Sequence, residues 1–174
     1  MQHSWKLVRL HENHPVAAFT CGTRRGAADI DRYLREQALI EQAARLSAVW
    51  VVEDTNANAP SDALVGFFTL SPVSVRLSPL LMERMGVNAP YLSIGGWLLG
   101  KMGVAVQHQG RRLGAPLVAS AITQARALRD STAGPLLVVD PKNEQLMHWY
   151  LGLNFGFSRL TPTDPRVLRL AMKL

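Results

Sequence analysis

Cysteine is nearly absent from this sequence: Cys21 is the single cysteine among 174 residues. One cysteine excludes an internal disulfide framework and a cysteine-rich metal site. Long apolar runs are missing too, because the most apolar stretch, YLSIGGWLLGKMGVAV, is interrupted by Lys101 and by glycines and is therefore no membrane span. The first residues, MQHSWKLVRLHENHP, lack the apolar core of a signal peptide. We therefore expect a cytoplasmic protein that has no membrane partner.

Acidic residues are scarce relative to basic ones, 13 against 19, which leaves a formal net charge of +6. Such an excess favours attraction to polyanions. A host with generally arginine-rich proteins would produce the same bias, so charge alone leaves a specific polyanion partner undecided. Apolar residues make up 48% and charged residues 18%, which is ordinary for a globular protein. Residues 1–174 are expected to form a single domain with a hydrophobic core.

The predicted secondary structure alternates between strands and helices. Strands are predicted at WKLVRL, AVWVVED, ALVGFFTLSPVSV, WLLGKMGVAV, GPLLVVD, FGFSRL and RVLRLAMKL. A helix with an apolar face at Ile30, Leu34 and Ala38 is predicted after the first strand, and a second one runs from Leu113 to about Arg129. The segment RLSPLLMERMGVNAPY is predicted as a connection with a short helical patch.

The last helix is predicted to begin at Asp140 and Pro141, because Asp is a favoured N-cap and Pro fits the first turn. This helix is expected to end near Tyr150. The order of elements as a whole indicates an α/β or α+β fold.

The segment VAVQHQGRRLGAPLVASAI passes from a strand through a basic turn into a helix. Unpaired backbone N–H groups and the helix dipole meet at such a junction, and Gly110 and Gly114 permit a ligand to approach the backbone. Arg111 and Arg112 add positive charge, so a phosphate or pyrophosphate is the expected ligand. The turn is neither a Walker loop nor a three-glycine dinucleotide fingerprint. A helix whose first turn is merely rich in arginine is the alternative that the turn alone leaves open.

Four ordered blocks carry a resemblance to a known family. LGKMGVAVQHQGRRLGAPLVASAI resembles the central motif of the GCN5-related N-acetyltransferases, whose Gln/Arg-x-x-Gly-x-Gly/Ala turn grips the pyrophosphate of coenzyme A. FTCGTRRGAADIDRYLREQAL, LVGFFTLSPVSV and VVDPKNEQLMHWY with the later FGF are similar to the acetyltransferase toxins of bacterial toxin–antitoxin pairs. Arg112 departs from the pattern, because it stands at the first glycine of the motif. The resemblance implies a mixed, mostly antiparallel sheet with splayed central strands and flanking helices.

The resemblance also implies a site for acetyl-CoA without a metal. Met102 and Val104 would offer backbone N–H groups to the pantetheine arm and the acetyl carbonyl, and such fixed donors need no reorganisation when charge develops on oxygen. The residues implied in binding acetyl-CoA are Met102, Val104, Gln109, Gly110, Arg111, Arg112, Leu113, Gly114, Ala115 and Asn143.

Tyr150 corresponds to the family's general acid, since a phenol with a pKa of about 10 keeps its proton at neutral pH. The alternative is a core aromatic residue, because apolar Met147 precedes it on the helix. Cys21 lies in the family's Cys-Gly turn, which favours a structural role over that of a nucleophile. His108 and His148 come with no acidic partner or ligand spacing, so neither is expected to bind a metal.

The acceptor that the toxin resemblance implies is the α-amino group of an aminoacyl-tRNA, whose acetylation stops translation. Basic side chains would then contact the phosphates of the tRNA acceptor stem, with an ordinary surface charge as the alternative for each. The candidates are Arg24, Arg25, Arg32, Arg35 and Lys101. A cognate antitoxin, often a ribbon-helix-helix protein, and a homodimer are further implications of the resemblance.

Two other interpretations remain open at the level of sequence. The first keeps the acetyltransferase and changes the acceptor to a small-molecule amine or a protein N-terminus; the positive charge argues against polyamines and aminoglycosides, which would be repelled. The second is a non-catalytic module that binds acetyl-CoA or nucleic acid. Arg112 and the longer connection LGLNF after Tyr150 are the features that support it.

Overall fold

The computed structural model describes residues 5–174. Its strands are β1 (Trp5–Arg9), β2 (Ala48–Asp54), β3 (Leu64–Arg76), β4 (Ser93–Val104), β5 (Leu136–Val139), β6 (Ser158–Arg159) and β7 (Leu170–Lys173). Its helices are α1 (Ala27–Glu36), α2 (Ala38–Ala43), α3 (Pro60–Ala63), α4 (Pro79–Met85), α5 (Gly114–Ser131) and α6 (Glu144–Gly152). Among these residues, no helix is long and apolar enough to cross a membrane.

The strands pair in the order β1-β2-β3-β4-β5-β7-β6. β1 with β2, β2 with β3, β5 with β7 and β6 with β7 are antiparallel, whereas β4 and β5 are parallel. The mixed, mostly antiparallel sheet predicted from the sequence is therefore confirmed.

Two compact units can be distinguished in the fold. The first comprises the chain up to Leu70 together with Lys101–Ala121, and the second comprises Ser71–Gly100 together with Ile122–Leu174. In the first unit, α1 packs on β2 and β3 through a core that includes Leu34, Val49 and Phe67. In the second unit, a separate core forms around Leu77, Leu136, Val138 and Ala171.

Two predictions about helices need correction. The helix predicted as continuous after the first strand is two helices, because Gln37 adopts φ −118° and interrupts the regular turn between α1 and α2. Asp140 does not cap the last helix: its carboxylate accepts two hydrogen bonds of 2.6 Å from Arg169. The N-cap is Asn143, whose side-chain oxygen accepts from the N–H of Leu146 at 2.8 Å, and α6 begins at Glu144.

The two C-terminal strands are shorter than predicted. β6 contains only Ser158 and Arg159, and β7 begins at Leu170, after a turn in which Arg159 donates to the carbonyl of Val167. The alternating pattern predicts one buried face for the last strand, but Leu170, Ala171 and Met172 are all buried. Both faces of β7 are covered, which allows small Ala171 to join the core.

Candidate active site

The C-terminal part of β4 directs its backbone N–H groups alternately to its two sides. Lys101 donates its N–H to the hydroxyl of Thr69 on β3 at 2.9 Å, and the N–H of Ala105 donates to the carbonyl of Val65 at 2.9 Å. Neighbouring N–H groups of a strand point to opposite sides. Met102 and Val104 therefore direct their N–H groups away from β3.

The ladder between β4 and β5 ends before β4 does. Its last pair is Leu99 with Val139, whereas β4 continues to Val104. A strand that extends past its neighbour presents donors and acceptors that a ligand can pair with. The ladder ends where β5 itself ends at Val139, so the splayed central strands expected from the sequence stay a prediction.

Gly103 lets α1 and the loop that contains Cys21 pack directly on the backbone of β4. A Cβ at this position would lie 2.7 Å from the Sγ of Cys21 and 2.9 Å from a methyl carbon of Ile30 on α1. Glycine in a strand commonly marks such a close approach. The N–H groups of Met102 and Val104 are thus held on a strand that α1 and the Cys21 loop press against.

Gln109 ties the turn after β4 to the loop that precedes α1. Its side-chain Nε2 donates to the carbonyl of Cys21 at 2.9 Å and to that of Val104 at 3.0 Å. Its backbone N–H donates to the carbonyl of Val106 at 3.2 Å. The donors of Gln109 are therefore committed to protein carbonyls, so this residue positions the turn rather than offering its side chain to an anion.

Asp31 organises the other side of this connection. It is buried on α1, where one carboxylate oxygen accepts from the hydroxyl of Thr20 at 2.8 Å and the other from the N–H of Cys21 at 2.7 Å. The carbonyl of Thr20 in turn accepts from the N–H of Val106 at 2.8 Å. A chain of hydrogen bonds thus runs from α1 through the Thr20–Cys21 segment to the turn after β4.

Sequence reasoning missed Asp31 as a residue of the site. A signal was present, because Ala27, Asp31, Leu34 and Ala38 follow the spacing of one helix face and the other three are apolar. A carboxylate on an apolar stripe needs a buried partner. That partner lies in the Cys-Gly turn before the helix.

The basic turn has the backbone conformation expected of an anion-binding loop. Gly110 has φ +78° and Arg112 has φ +58°, and α5 starts directly afterwards at Gly114. The first N–H groups of a helix have no acceptor within the helix, and the dipole makes this end positive. Arg111 and Arg112 are exposed beside it. The strand, turn and helix predicted here are confirmed, and the anion remains a proposal.

Replacing Arg112 with glycine tests the departure from the family motif. A residue with a side chain in the left-handed region destabilises the folded state by about 1 kcal/mol, and glycine removes this strain. Glycine also gives the unfolded chain more conformational freedom, which offsets part of the gain in the free energy of unfolding. We expect Arg112→Gly to leave the free energy of unfolding equal or slightly higher and to raise the KM for acetyl-CoA about tenfold. Arg112→Ala, which keeps the strain and removes the charge, should raise KM equally without the gain in stability. An unchanged KM in both variants would contradict a contact with the cofactor.

Cys21 is not poised for nucleophilic chemistry. Burial, followed by the nearby negative charge of Asp31, raises the pKa of the thiol to about 12. The reactive form of cysteine is the thiolate, which is scarce at neutral pH under these conditions. A packing role in contact with Gly103 agrees with the structural interpretation of the sequence.

Tyr150 lies on α6 in the second unit, within an aromatic cluster. Its ring packs edge-on against Trp149 at 4.9 Å and Phe157 at 5.7 Å between centroids, and only 6% of the residue is exposed. Burial raises the pKa of its hydroxyl to about 12. The phenol therefore keeps its proton throughout the physiological range, so that it is able to donate a proton and not to accept one.

Asn143 is exposed at the start of α6. Its Oδ1 is used to cap the helix, which leaves the amide N–H groups of the side chain as donors for a ligand. The role in binding pantetheine that the resemblance implies remains a proposal.

The arginines proposed to contact RNA all lie in the first unit. Arg24 and Arg25 precede α1 and are exposed, as are Arg32 and Arg35 on its surface. Arg32 pairs with Asp29 at 3.0 Å. An exposed pair of this kind is weak and can be replaced by a phosphate.

Lys101 is placed differently from the arginines. It is half-buried, and its ammonium lies 5.5 Å from the centre of the Tyr33 ring. The Tyr33 ring is held in place by its hydroxyl, which donates to Glu41 at 2.7 Å.

This mostly antiparallel sheet, in which β4 continues past the end of its parallel neighbour β5 and leads into a glycine-arginine turn and α5, has the fold of solved toxin structures. No protein-family model matches the chain. It is 27% identical over 168 residues to a tRNA-acetylating toxin of Mycobacterium tuberculosis (strain ATCC 25618 / H37Rv), an alignment that covers 95% of this chain and 90% of that relative.

Two solved structures illustrate the similarity of fold. AtaT complexed with acetyl-methionyl-tRNAfMet is 18% identical with a TM-score of 0.78, and the alignment covers 98% of this chain and 95% of that one. A tyrosine-to-phenylalanine mutant of the toxin AtaT, bound to the C-terminus of the antitoxin AtaR and acetyl-CoA, is 17% identical with a TM-score of 0.72 over 97% of this chain and 92% of that one.

Proposed function

We propose that residues 1–174 act as one acetyltransferase domain, which transfers the acetyl group of acetyl-CoA to the α-amino group of an aminoacyl-tRNA. The observation that carries this proposal is the arrangement at the end of β4. The N–H groups of Met102 and Val104 point away from β3, in the part of β4 that continues beyond its last pair with β5. The same strand leads directly into the basic turn. A thioester carbonyl and a pyrophosphate of one extended molecule match these two features in this order.

In this proposal the turn holds the pyrophosphate. The donors are the backbone N–H groups at the start of α5, assisted by the positive end of the helix dipole and by two guanidinium groups. The residues involved are Gly110, Arg111, Arg112, Leu113, Gly114 and Ala115. Gln109 contributes by positioning, and Asn143 donates its side-chain amide to the pantetheine arm.

The transfer conserves atoms without any further co-reactant. The amine nitrogen attacks the acetyl carbon, and the N–H groups of Met102 and Val104 stabilise the negative charge on the carbonyl oxygen. The carbon–sulfur bond then breaks, the amide nitrogen gives up its extra proton, and the coenzyme leaves as a thiol. Tyr150 donates a hydrogen bond, and then a proton, to the departing sulfur, and the proton released by the nitrogen restores the phenol.

The choice of tRNA as the acceptor rests on the relatives and on charge. The relative from Mycobacterium tuberculosis is a tRNA-acetylating toxin, and AtaT has been solved with an acetylated methionyl-tRNA. A net charge of +6 and the arginines around α1 suit a nucleic acid. Acetylation removes the amine that forms the peptide bond, so we propose that the chain is a toxin that blocks translation.

AtaT has been solved with its antitoxin AtaR. We propose a cognate antitoxin for this chain, with a ribbon-helix-helix protein as the first candidate, and a homodimer as its assembly state.

The proposal is tested by incubating the purified protein with total charged tRNA and isotopically labelled acetyl-CoA, followed by nuclease digestion and mass spectrometry. We expect labelled acetyl-aminoacyl-adenosine, whose mass also identifies the amino acid. Label on a small amine or on a protein N-terminus instead would assign the enzyme to a different acceptor. Absence of acetyl-CoA binding would contradict both enzymatic assignments.

Binding of tRNA phosphates by the arginines predicts a steep dependence on salt. Removing one side chain that binds a phosphate reduces the slope of log affinity against log salt concentration by about one. We expect the double variant Arg25→Gln/Arg35→Gln to raise the KM for aminoacyl-tRNA and to flatten this slope by about two, with an unchanged KM for acetyl-CoA. Arg166→Gln serves as the matched control, because Arg166 is also exposed but lies in the second unit. Equal slopes in wild type and double variant would place the tRNA elsewhere.

A further inference from the structure

His11, His14 and Glu53 form a cluster that the acetyltransferase site does not use. One ring nitrogen from each histidine and one carboxylate oxygen lie within 4.8 Å of one another. His14 is buried, with 2% of its side chain exposed, whereas Glu53 is 30% exposed and His11 lies at the surface. All three belong to the first unit.

We infer that this cluster is a binding site for a single divalent transition-metal ion, with zinc as the ion it fits best. Two imidazole nitrogens and one carboxylate oxygen are the donor set that zinc accepts, and a fourth position would remain for water. Cations that prefer oxygen, such as magnesium and calcium, are poorly matched to two imidazoles.

The two histidine rings are in contact, with one ring tilted over the other. Their centroids are 3.6 Å apart and their planes are inclined by 36°. His14 is fixed by its burial, whereas His11 lies at the surface and its ring is held by one long hydrogen bond, which its Nδ1 accepts from the N–H of Asn13 at 3.3 Å. His11 is therefore the ligand whose ring would rotate to coordinate the ion, while His14 stays in place.

Backbone groups provide the outer support that a ligating histidine requires. The Nδ1 of His14 accepts a hydrogen bond from the N–H of His11 at 2.9 Å, and it lies 3.2 Å from the carbonyl of the same residue. When an ion binds at Nε2, the proton moves to Nδ1, the bond from the N–H of His11 is given up, and Nδ1 donates to the carbonyl of His11 instead. A backbone carbonyl in this position is a common outer partner of metal-bound histidines.

Glu53 is brought to the histidines by an irregularity of β2. The Nε2 of His14 lies 2.8 Å from its carboxylate, and the pairing register between β2 and β3 shifts between Val52 and Glu53. Bulges commonly re-aim a side chain. A bound ion would replace the proton between His14 and Glu53, and would link the segment after β1 to β2.

Access from solvent is provided on the side of His11. This residue and Glu12 line a surface cavity together with Gln42 and apolar side chains of α2. His11 is also exposed, so an ion can reach this ligand from solvent without unfolding of the chain.

The test is a titration of the 174-residue protein, free of any polyhistidine tag, with Co²⁺ as a spectroscopic substitute for Zn²⁺. We expect one equivalent of Co²⁺ to produce visible d–d absorption, which one equivalent of Zn²⁺ abolishes. Zinc should also raise the Tm, because an ion that binds only the folded state stabilises it.

His11→Gln and Glu53→Gln are the test variants, since both side chains are at least partly exposed and their replacement leaves the buried His14 in place. Each should weaken zinc binding at least about tenfold, a loss of about 1.4 kcal/mol, and remove most of the rise in Tm. His148→Gln, an exposed histidine of the second unit, is the matched control and should behave as wild type. Absence of d–d absorption in the wild type, or equal affinity in the wild type and both test variants, would overturn the inference.

Discussion

Tyr150→Phe is expected to lower the turnover number about 100-fold, because it removes the donor to the departing sulfur. The ring packing against Trp149 and Phe157 is retained in the variant. The KM for acetyl-CoA and the Tm should therefore change little. Steady-state kinetics with labelled acetyl-CoA, combined with thermal denaturation, checks both expectations.

Tyr33→Phe is the matched control for a buried tyrosine. Burial, and then the hydrogen bond to Glu41, raises the pKa of Tyr33 well above its usual range, and the phenol donates to a carboxylate rather than to a substrate. Its loss leaves Glu41 without this donor, so stability should fall by about 1–3 kcal/mol while turnover persists. Equal effects of the two substitutions on turnover would mean that Tyr150 is a packing residue, as the alternative interpretation of the sequence holds.

The pH profile gives a second measure of the same residue. An α-amino group with a pKa of about 8 must lose its proton before it attacks, so the rate should rise through this range. A tyrosine whose pKa is about 12 stays protonated well above pH 9. We therefore expect a plateau on the alkaline side, without the fall that ionisation of an ordinary phenol near pH 10 would cause. A bell-shaped profile with a descending limb at or below pH 10 would contradict this assignment.

Asp31→Ala is expected to have the largest effect on stability. The substitution removes the acceptor of the buried N–H of Cys21 and of the partly buried hydroxyl of Thr20. An unsatisfied buried donor costs about 1–3 kcal/mol and a partly buried one less, so the free energy of unfolding should fall by about 2–5 kcal/mol. Denaturation with urea measures this change.

The same substitution should also weaken the binding of acetyl-CoA. The Thr20–Cys21 segment holds the N–H of Val106 and the side chain of Gln109, and these residues set the position of the basic turn. The KM for acetyl-CoA should rise several-fold in the fraction that remains folded. Asp29→Ala, two residues away and exposed in a surface pair with Arg32, is the control and should change stability by less than about 1 kcal/mol. If the two variants were equally stable, Asp31 would not connect α1 to the turn.

The strand, turn and helix that begin at β4 could be predicted because their determinants are local. An apolar strand, a glycine-containing basic turn and an amphipathic helix follow one another in the order of the chain. The start of the last helix could not be predicted in the same way. Asp140 and Asn143 are both good capping residues, and Asp140 is taken by Arg169, which lies 29 residues further along the chain. Nothing in the local sequence distinguishes a cap from an ion-pair partner.

The sequence by itself determined the order of the elements, the excess of positive charge and the chemistry available to an acetyltransferase. Only the tertiary structure decided what several polar side chains do. Gln109 donates to a carbonyl 88 residues away, and His14 meets Glu53 at a separation of 39 residues. Such pairings depend on which loops the sheet brings together, and this cannot be predicted from patterns of neighbouring residues in the sequence. The left-handed conformation of Arg112 belongs to the same class, because the surrounding turn imposes on an arginine what its own preferences disfavour.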